Sequence, residues 1–304
     1  MKKCSRCKKT AFYYRINEGR YYCGPCFSRN IEDRVKKTIR KHNLINDGDR
    51  IAVALSGGKD SSNTLYLLKK IFKKNPKIEI FAITIDEGIK NHRAKAIKNS
   101  IKFCKELQVK HYVFSFKKEF GFTIDEIAKK SKDKGMCRYC GVLRRYLLNK
   151  KARELNANKI ALGHNLDDEA QTIVMNVLKG DLLRLARTGP MPLIKESKKF
   201  IPRIKPLIMI PEKESALFAI INNIPVSFDK CPYAKFNPLR GEIRDFLNRL
   251  ENEAHGIKYS VLKSGERLAS ILKENLKIDE IKLCEKCGEP SSENICKVCK
   301  IIPL

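Results

Sequence analysis

Acidic residues are scarce in this sequence. Against 63 Lys+Arg stand 34 Asp+Glu, a formal charge of +29. An excess of that size points to a polyanionic partner, of which nucleic acid is the commonest. Glutamine is almost missing, with only Gln108 and Gln171. A thermophile-type, lysine-rich composition accounts for that shortage, but such compositions raise Glu along with Lys, and here the acids lag. Glycine (16) and proline (12) are few among 304 residues, while 42% are hydrophobic. Global disorder is thereby excluded, and the length allows one large cored domain with small appendages. Every apolar stretch is broken by a charge before the roughly 18 residues that a membrane helix needs. Behind Met1-Lys2-Lys3-Cys4 there is no apolar run of the kind a secretory leader carries. The expectation is a cytoplasmic protein with no membrane contact.

Cysteine is what the sequence holds in excess, with twelve. Stable disulfides are rare in the cytoplasm, so the spacing points to metal. Cys4, Cys7, Cys23 and Cys26 form two CxxC pairs, as do Cys284, Cys287, Cys296 and Cys299. Four thiolates suit Zn²⁺ in a closed tetrahedral site, so two structural zinc ions are expected. The first set brackets Phe12-Tyr13-Tyr14 and Tyr21-Tyr22, read as a short hairpin. A segment this small buries too little surface to fold without its metal. Cys137 and Cys140 make a further pair, and Cys104 and Cys231 stand alone. Cys104 reads as a buried small hydrophobe within a helix.

Four units follow: a knuckle over 1–30, a linking helix over 31–48, a catalytic domain over 49–280 and a second knuckle over 281–304. The linking helix rests on Ile31, Val35, Ile39 and Leu44 at helical spacing. In the central domain, apolar runs at 50–55, 78–85, 111–116 and 159–163 predict strands. Helices are predicted through Leu65–Ile71 and over 91–108, 123–130, 141–155 and 166–178, with a cysteine loop before 141. One more strand and several helices are expected over 201–280, with Cys231 on a loop. Strands alternating with helices at this spacing mean an α/β fold with a parallel sheet, whose ligands sit at the carboxyl ends of the strands.

Directly after the first strand comes Ala54-Leu55-Ser56-Gly57-Gly58-Lys59-Asp60-Ser61-Ser62. Glycines let backbone N–H groups approach an anion, and the helix N-terminus adds partial positive charge. The turn is shorter than a Walker A loop. This string resembles the signature of the PP-loop ATP pyrophosphatases, a Rossmann-type fold that activates a carbonyl oxygen by adenylation. Gly163-His164-Asn165-Leu166-Asp167-Asp168 resembles the GHN-x-DD segment of the same superfamily. A capping or core role for His164 stays open, while Asp168 is placed to hold Mg²⁺ with ATP or to position substrate.

Within that superfamily, Cys137-x2-Cys140 with a distant Cys231-Pro232-Tyr233 resembles the TtcA/TtuA family of tRNA 2-thiolation enzymes, and the terminal knuckles resemble its TtuA branch. The likeness covers the chain end to end. It implies that Cys137, Cys140 and Cys231 ligate one [4Fe-4S] cluster through three irons, leaving the fourth open for sulfide. It implies ATP contacts from Ala54, Leu55 and Ile85 through backbone, from Ser56, Gly57, Gly58, Lys59, Asp60 and Ser61 at the phosphates, and from Gly163 and Arg144. Arg144 stands where relatives carry Lys, so its charge persists but a titratable amine does not; a solvated helix face is its alternative. Asp86 is expected near a ribose hydroxyl. The implied reaction is ATP-dependent tRNA 2-thiouridine synthesis at a wobble or T-loop uridine, with Cys137, Cys140, Cys231 and Asp168 as the catalytic set. The sulfur donor is a ubiquitin-like thiocarboxylate carrier or sulfide, and a homodimer is expected.

Chemistry agrees with that implication. Three thiolates are an incomplete set for a cluster ordinarily held by four, and an open coordination position marks a catalytic centre. A persulfide on Cys137 or Cys231 is the competing route. A non-thiolating PP-loop ligase acting on tRNA and a zinc-ribbon nucleic-acid-binding adaptor remain rival functions; the adaptor leaves the glycine turn and GHN-x-DD without a purpose.

Overall fold

The computed structural model describes residues 1–130, 136–191, 199–226, 231–233, 238–276 and 281–302. Lys230, beside Cys231, and the boundary expected at 280 lie outside them. At the N-terminus β1 (Tyr13–Arg15) pairs antiparallel with β2 (Arg20–Tyr22), and α1 (Gly24–Lys41) follows. The helix begins at Gly24 rather than Ile31. Pro25 sits in its first turn, where the missing N–H costs nothing, so Cys26 belongs to the helix.

The alternation then runs β3 (Arg50–Ala54), α2 (Lys59–Ile71), β4 (Glu79–Asp86), α3 (Arg93–Glu106) and β5 (His111–Ser115). Short α4 (Phe116–Phe120) and α5 (Ile124–Lys130) precede α6 (Met136–Glu154). The expected cysteine loop is therefore corrected in part: Cys137 and Cys140 lie on the first turns of α6. Next come β6 (Lys159–Ala161), α7 (Leu166–Leu178), α8 (Leu182–Leu185), β7 (Arg203–Ile204), α9 (Glu212–Ile221), α10 (Pro238–Glu253) and α11 (Ile257–Asn275). A second hairpin, β8 (Lys282–Leu283) with β9 (Pro290–Ser291), leads into α12 (Lys297–Ile301).

The central sheet is parallel with order β5-β4-β3-β6-β7. From β3 the chain builds outward through β4 and β5, then crosses back to place β6 on the other side of β3. The carboxyl ends of β3 and β6 thus flank the switch point where such sheets bind ligands. Ile51, Ala52 and Val53 of β3 are fully buried, as a strand covered on both faces requires. No helix among the described residues is long and apolar enough to cross a membrane.

Both cysteine knuckles are built into this core. Cys4, Tyr22, Cys23 and Phe27 share one apolar cluster with Ile51, Leu65 and Phe218. Cys284, Cys296 and Cys299 share another with Leu143 and Leu147 of α6. Cys104 is buried as expected, and burial pushes its thiol up to about 12.

One buried carboxylate ties the first hairpin to the catalytic end. Glu214 of α9 accepts from Arg15 Nε at 2.7 Å and from Tyr13 Oη at 3.3 Å, and pairs with Arg34 of α1. Truncating it leaves the largely buried Arg34 without its carboxylate partner and Arg15 with Glu18 alone. Glu214→Ala is therefore expected to cost about 3–5 kcal/mol, measured as a lower midpoint of denaturant unfolding. A loss below about 1 kcal/mol, the worth of an exposed pair, would show that water replaces the carboxylate.

Candidate active site

The turn between β3 and α2 is held open by its own side chains. Ser61 Oγ accepts from Ser56 N at 3.1 Å, lies 3.0 Å from Ser56 Oγ and donates to Gly58 O at 3.0 Å. Gly58 is the N-cap of α2, and no side chain caps the helix. Its first N–H groups thus remain available to an anion. Two glycines are dictated by space. Gly57 has φ +82°, and a Cβ there would meet Ala96 O at 2.8 Å. A Cβ on Gly163 would meet Ser61 N at 2.6 Å, so only glycine lets the chain leaving β6 lie against the turn.

Lys59 is not a free charge. Its Nζ sits 2.9 Å from Asp60 Oδ2 and 3.0 Å from Glu212 Oε1, and Asp60 Oδ1 accepts from Ser215 Oγ at 2.5 Å. Burial opposes the charge on Lys59, but Asp60 and Glu212 outweigh it and raise its pKa. The ammonium therefore stays protonated, shared between the two carboxylates in the cleft wall.

This turn opens into a cleft of about 1270 Å³. Every residue expected to bind ATP lines it except Gly57, whose contribution is the backbone conformation. Cys137, Cys140, Cys231 and Asp168 stand outside its wall. The GHN-x-DD segment divides its labour. Asn165, not His164, caps α7: its Oδ1 accepts from Asp168 N at 3.0 Å, while Asp168 Oδ2 accepts from Asn165 N at 3.3 Å. Asp168 Oδ1 also takes Arg240 Nη2 at 2.9 Å. Asp167 faces the cleft, accepting from Glu212 N at 2.7 Å and pairing with Lys258. His164 lines the cleft with its Nδ1 3.9 Å from Glu169.

Asp86 does not reach outward. Its Oδ1 accepts from Gly88 N at 2.9 Å and closes the turn after β4. It is the neighbour that faces the cleft: Glu87 is 3% exposed and pairs with Arg93 at 2.7 Å and Arg144 at 3.4 Å. Arg93 in turn donates to Ser56 O at 2.8 Å and Ile85 O at 2.7 Å. Sequence reasoning passed over Glu87 and Arg93; the available signal was a second acid at the carboxyl end of a parallel strand. Arg144 is thus turned toward the cleft rather than being a purely solvated face.

The same residues connect the cleft to the cysteines. Cys137 Sγ lies 3.0 Å from Tyr233 O, which brings the 231–233 segment against the start of α6. Tyr233 Oη donates to Asp125 Oδ1 at 2.8 Å and fixes the segment from its other side. Cys231 is close enough to interact electrostatically with both Cys137 and Cys140. Burial, then the Glu87 carboxylate, pushes the Cys140 thiol up to about 12, against the pull of Arg144. Such a thiol is neutral by itself and becomes a thiolate only when a cation binds. All three cysteines are exposed or partly exposed, and their Sγ atoms are not gathered within 4.8 Å of one another as those of the two terminal quartets are. Three such soft donors with an open side suit a metal cluster more readily than a single closed ion.

The terminal quartets differ. In each, all four Sγ atoms lie within 4.8 Å of one another, so either group can hold a metal ion. Cys7 and Cys23 Sγ are 3.4 Å apart and Cys287 and Cys296 Sγ 3.7 Å. A tetrahedral edge built on a Zn–S bond of about 2.3 Å is about 3.8 Å. The amide of Cys296 is the main influence holding Cys284 down at about 6. At Cys4, burial works upward, but the amides of Cys23, Arg6 and Cys7 prevail and its thiol also falls to about 6.

The sequence profile of the PP-loop domain matches residues 27–263. A probable sulfurtransferase of Methanocaldococcus jannaschii is 41% identical over 301 residues, spanning 97% of this chain and 86% of the relative. Cytoplasmic tRNA 2-thiolation protein 1 of Caenorhabditis elegans is 34% identical over 303 residues, 98% of this chain and 79% of the relative. Among solved structures, the U34-tRNA thiolase NcsA from Methanococcus maripaludis with its [4Fe-4S] cluster superposes with a TM-score of 0.84 at 34% identity, over 98% of this chain and 94% of that one.

Proposed function

Because the chain belongs to the PP-loop family and, within it, to the tRNA 2-thiolation proteins, we propose that it is an ATP-dependent tRNA uridine 2-sulfurtransferase that acts in the cytoplasm on the wobble uridine. One observation supports this reading: Glu87 and Arg144, in the cleft wall and linked through Arg93 to the anion-binding turn, are close enough to Cys140 to interact with it electrostatically.

Ala54, Leu55 and Ile85 receive the adenosine, and the amides and hydroxyls of 56–61 receive the phosphates. The uracil C2 oxygen attacks the α-phosphorus and pyrophosphate leaves. Sulfide then attacks C2, and the oxygen departs with AMP. Lys59 and Arg144 neutralise the charge that develops on the phosphates. Arg144 stays protonated throughout, so it stabilises charge and moves no proton. Asp60, in the cleft wall, is the carboxylate available to Mg²⁺ accompanying ATP, whereas Asp168, held by Asn165 and Arg240, positions the start of α7. Cys137, Cys140 and Cys231 would hold a [4Fe-4S] cluster, which when bound would supply an activated sulfide at neutral pH. The two quartets hold zinc and only maintain structure, because four thiolates leave zinc no open position. Sulfur arrives as sulfide or from a thiocarboxylate carrier.

The test is direct. Anaerobically prepared protein with ATP, sulfide and an anticodon stem–loop is expected to yield 2-thiouridine at the wobble position, with one AMP and one pyrophosphate per sulfur transferred. Nucleoside mass spectrometry that finds sulfur only in the T loop would overturn the target. AMP release with incorporation of an amine would replace thiolation by ligation.

A further inference from the structure

The β1–β2 hairpin has two faces. Cross-strand partners share a face, and the register pairs Tyr13 with Tyr22, Tyr14 with Tyr21 and Arg15 with Arg20. Tyr13, Arg15 and Tyr22 are tied into the protein, Tyr13 and Arg15 by Glu214 and Tyr22 Oη by Glu18 at 2.5 Å. Tyr14 and Tyr21 occupy the opposite face, with ring centroids 4.5 Å apart. Neither hydroxyl has a hydrogen-bond partner among the described residues, and Tyr14 is 44% exposed.

That exposed ring is in the wall of the cleft that holds the nucleotide turn. The link is rigid: Glu214 grips the hairpin, and Glu212 of the same helix contacts Lys59 at 3.0 Å. Lys2, Lys3, Lys8, Lys9 and Arg20 surround the hairpin and are all exposed. The cleft volume exceeds the roughly 300–1,000 Å³ typical of a small-ligand pocket, so it has room for more than ATP. Aromatic rings that stack unpaired bases, with cations following the backbone, are how proteins grip single-stranded RNA.

We propose that Tyr14, backed by Tyr21, is a stacking shelf for one unpaired base of the RNA loop beside the target uridine. This rests on the RNA-thiolation reading above. The purely structural alternative is a cross-strand pair that stabilises only the hairpin, and that role predicts no effect on a bound base.

The experiment uses the full chain with its metals and an anticodon stem–loop carrying 2-aminopurine next to the target uridine. Wild-type protein is expected to quench the fluorophore on binding. Tyr14→Ala should lose the quench and bind the RNA about five-fold or more weakly, with ATP affinity retained. Tyr14→Phe, which keeps the π-face without the hydroxyl, should restore both quench and affinity. If Tyr14→Ala lowers the thermal midpoint, Tyr14→Val takes its place, because it keeps strand preference without a ring. Unchanged quenching and RNA affinity in the alanine or valine variant overturns the shelf. A wild-type protein that forms no complex with the stem–loop overturns the RNA-substrate reading itself.

Discussion

Cys231→Ser is expected to abolish 2-thiouridine formation while ATP binding stays largely intact. Soft thiolates select iron–sulfur clusters and a serine hydroxyl does not replace them. Losing even an outer partner of a metal ligand costs about 10–100-fold, so losing a ligand sets a fall of about 100-fold or more in sulfur transfer. The iron absorbance of the anaerobically prepared protein should fall with it, and two zinc ions per chain should remain, because both quartets lie on other segments. Nucleotide binding survives for a geometric reason. Cys231 is held through Tyr233 to α5 and α6, whereas the phosphate turn is held by its own serines and by α9. Wild-type thiolation by cluster-free Cys231→Ser protein would sink the cluster mechanism. Iron-free wild-type protein that still transfers sulfur would promote the persulfide route.

Asp60→Ala should show the reverse, with nucleotide binding lost and iron retained. The carboxylate orders Lys59 and Ser215 at 2.9 and 2.5 Å. Hydrogen bonds to a charged group are worth about 1.5–3 kcal/mol. A loss of about 2–3 kcal/mol weakens ATP binding by roughly 30- to 150-fold, which calorimetry with a non-hydrolysable analogue reads directly. The cysteines should not notice, because the partners of Asp60 lie on α2 and α9. Communication between the two half-sites runs elsewhere, from Ser56 O through Arg93 and Glu87 to Arg144. Iron loss in Asp60→Ala would show that the turn and the cysteine face share a support beyond that chain of contacts.

Much of this was legible in the residues alone, because the signals are local. Alternating apolar strands and periodic helices need only their neighbours, and α7 begins and ends where the apolar pattern does. The glycine turn is legible because a strand, a tight turn and a helix start leave few other readings. CxxC spacing is legible because two thiols three residues apart can share one ion wherever the chain goes. The two quartets accordingly assemble as grouped.

What the sequence could not determine was every choice made by distant partners. Asp86 or Glu87, Asp167 or Asp168, His164 or Asn165 are adjacent alternatives of similar chemistry. Which member faces the cleft depends on what packs behind it. Gly88 N captures Asp86, leaving Glu87 for the arginines, and Asn165 captures the Asp168 amide, leaving Asp167 for Lys258. Lys59 looked like a bare phosphate-binding charge until α9 brought Glu212 beside it. The knuckles looked like appendages, yet their cysteines complete two apolar cores with residues far along the chain. Residue type and spacing determined which chemistry this chain can perform. Only tertiary packing decided which of two neighbouring side chains performs it, because a buried charge goes where its counter-charge is.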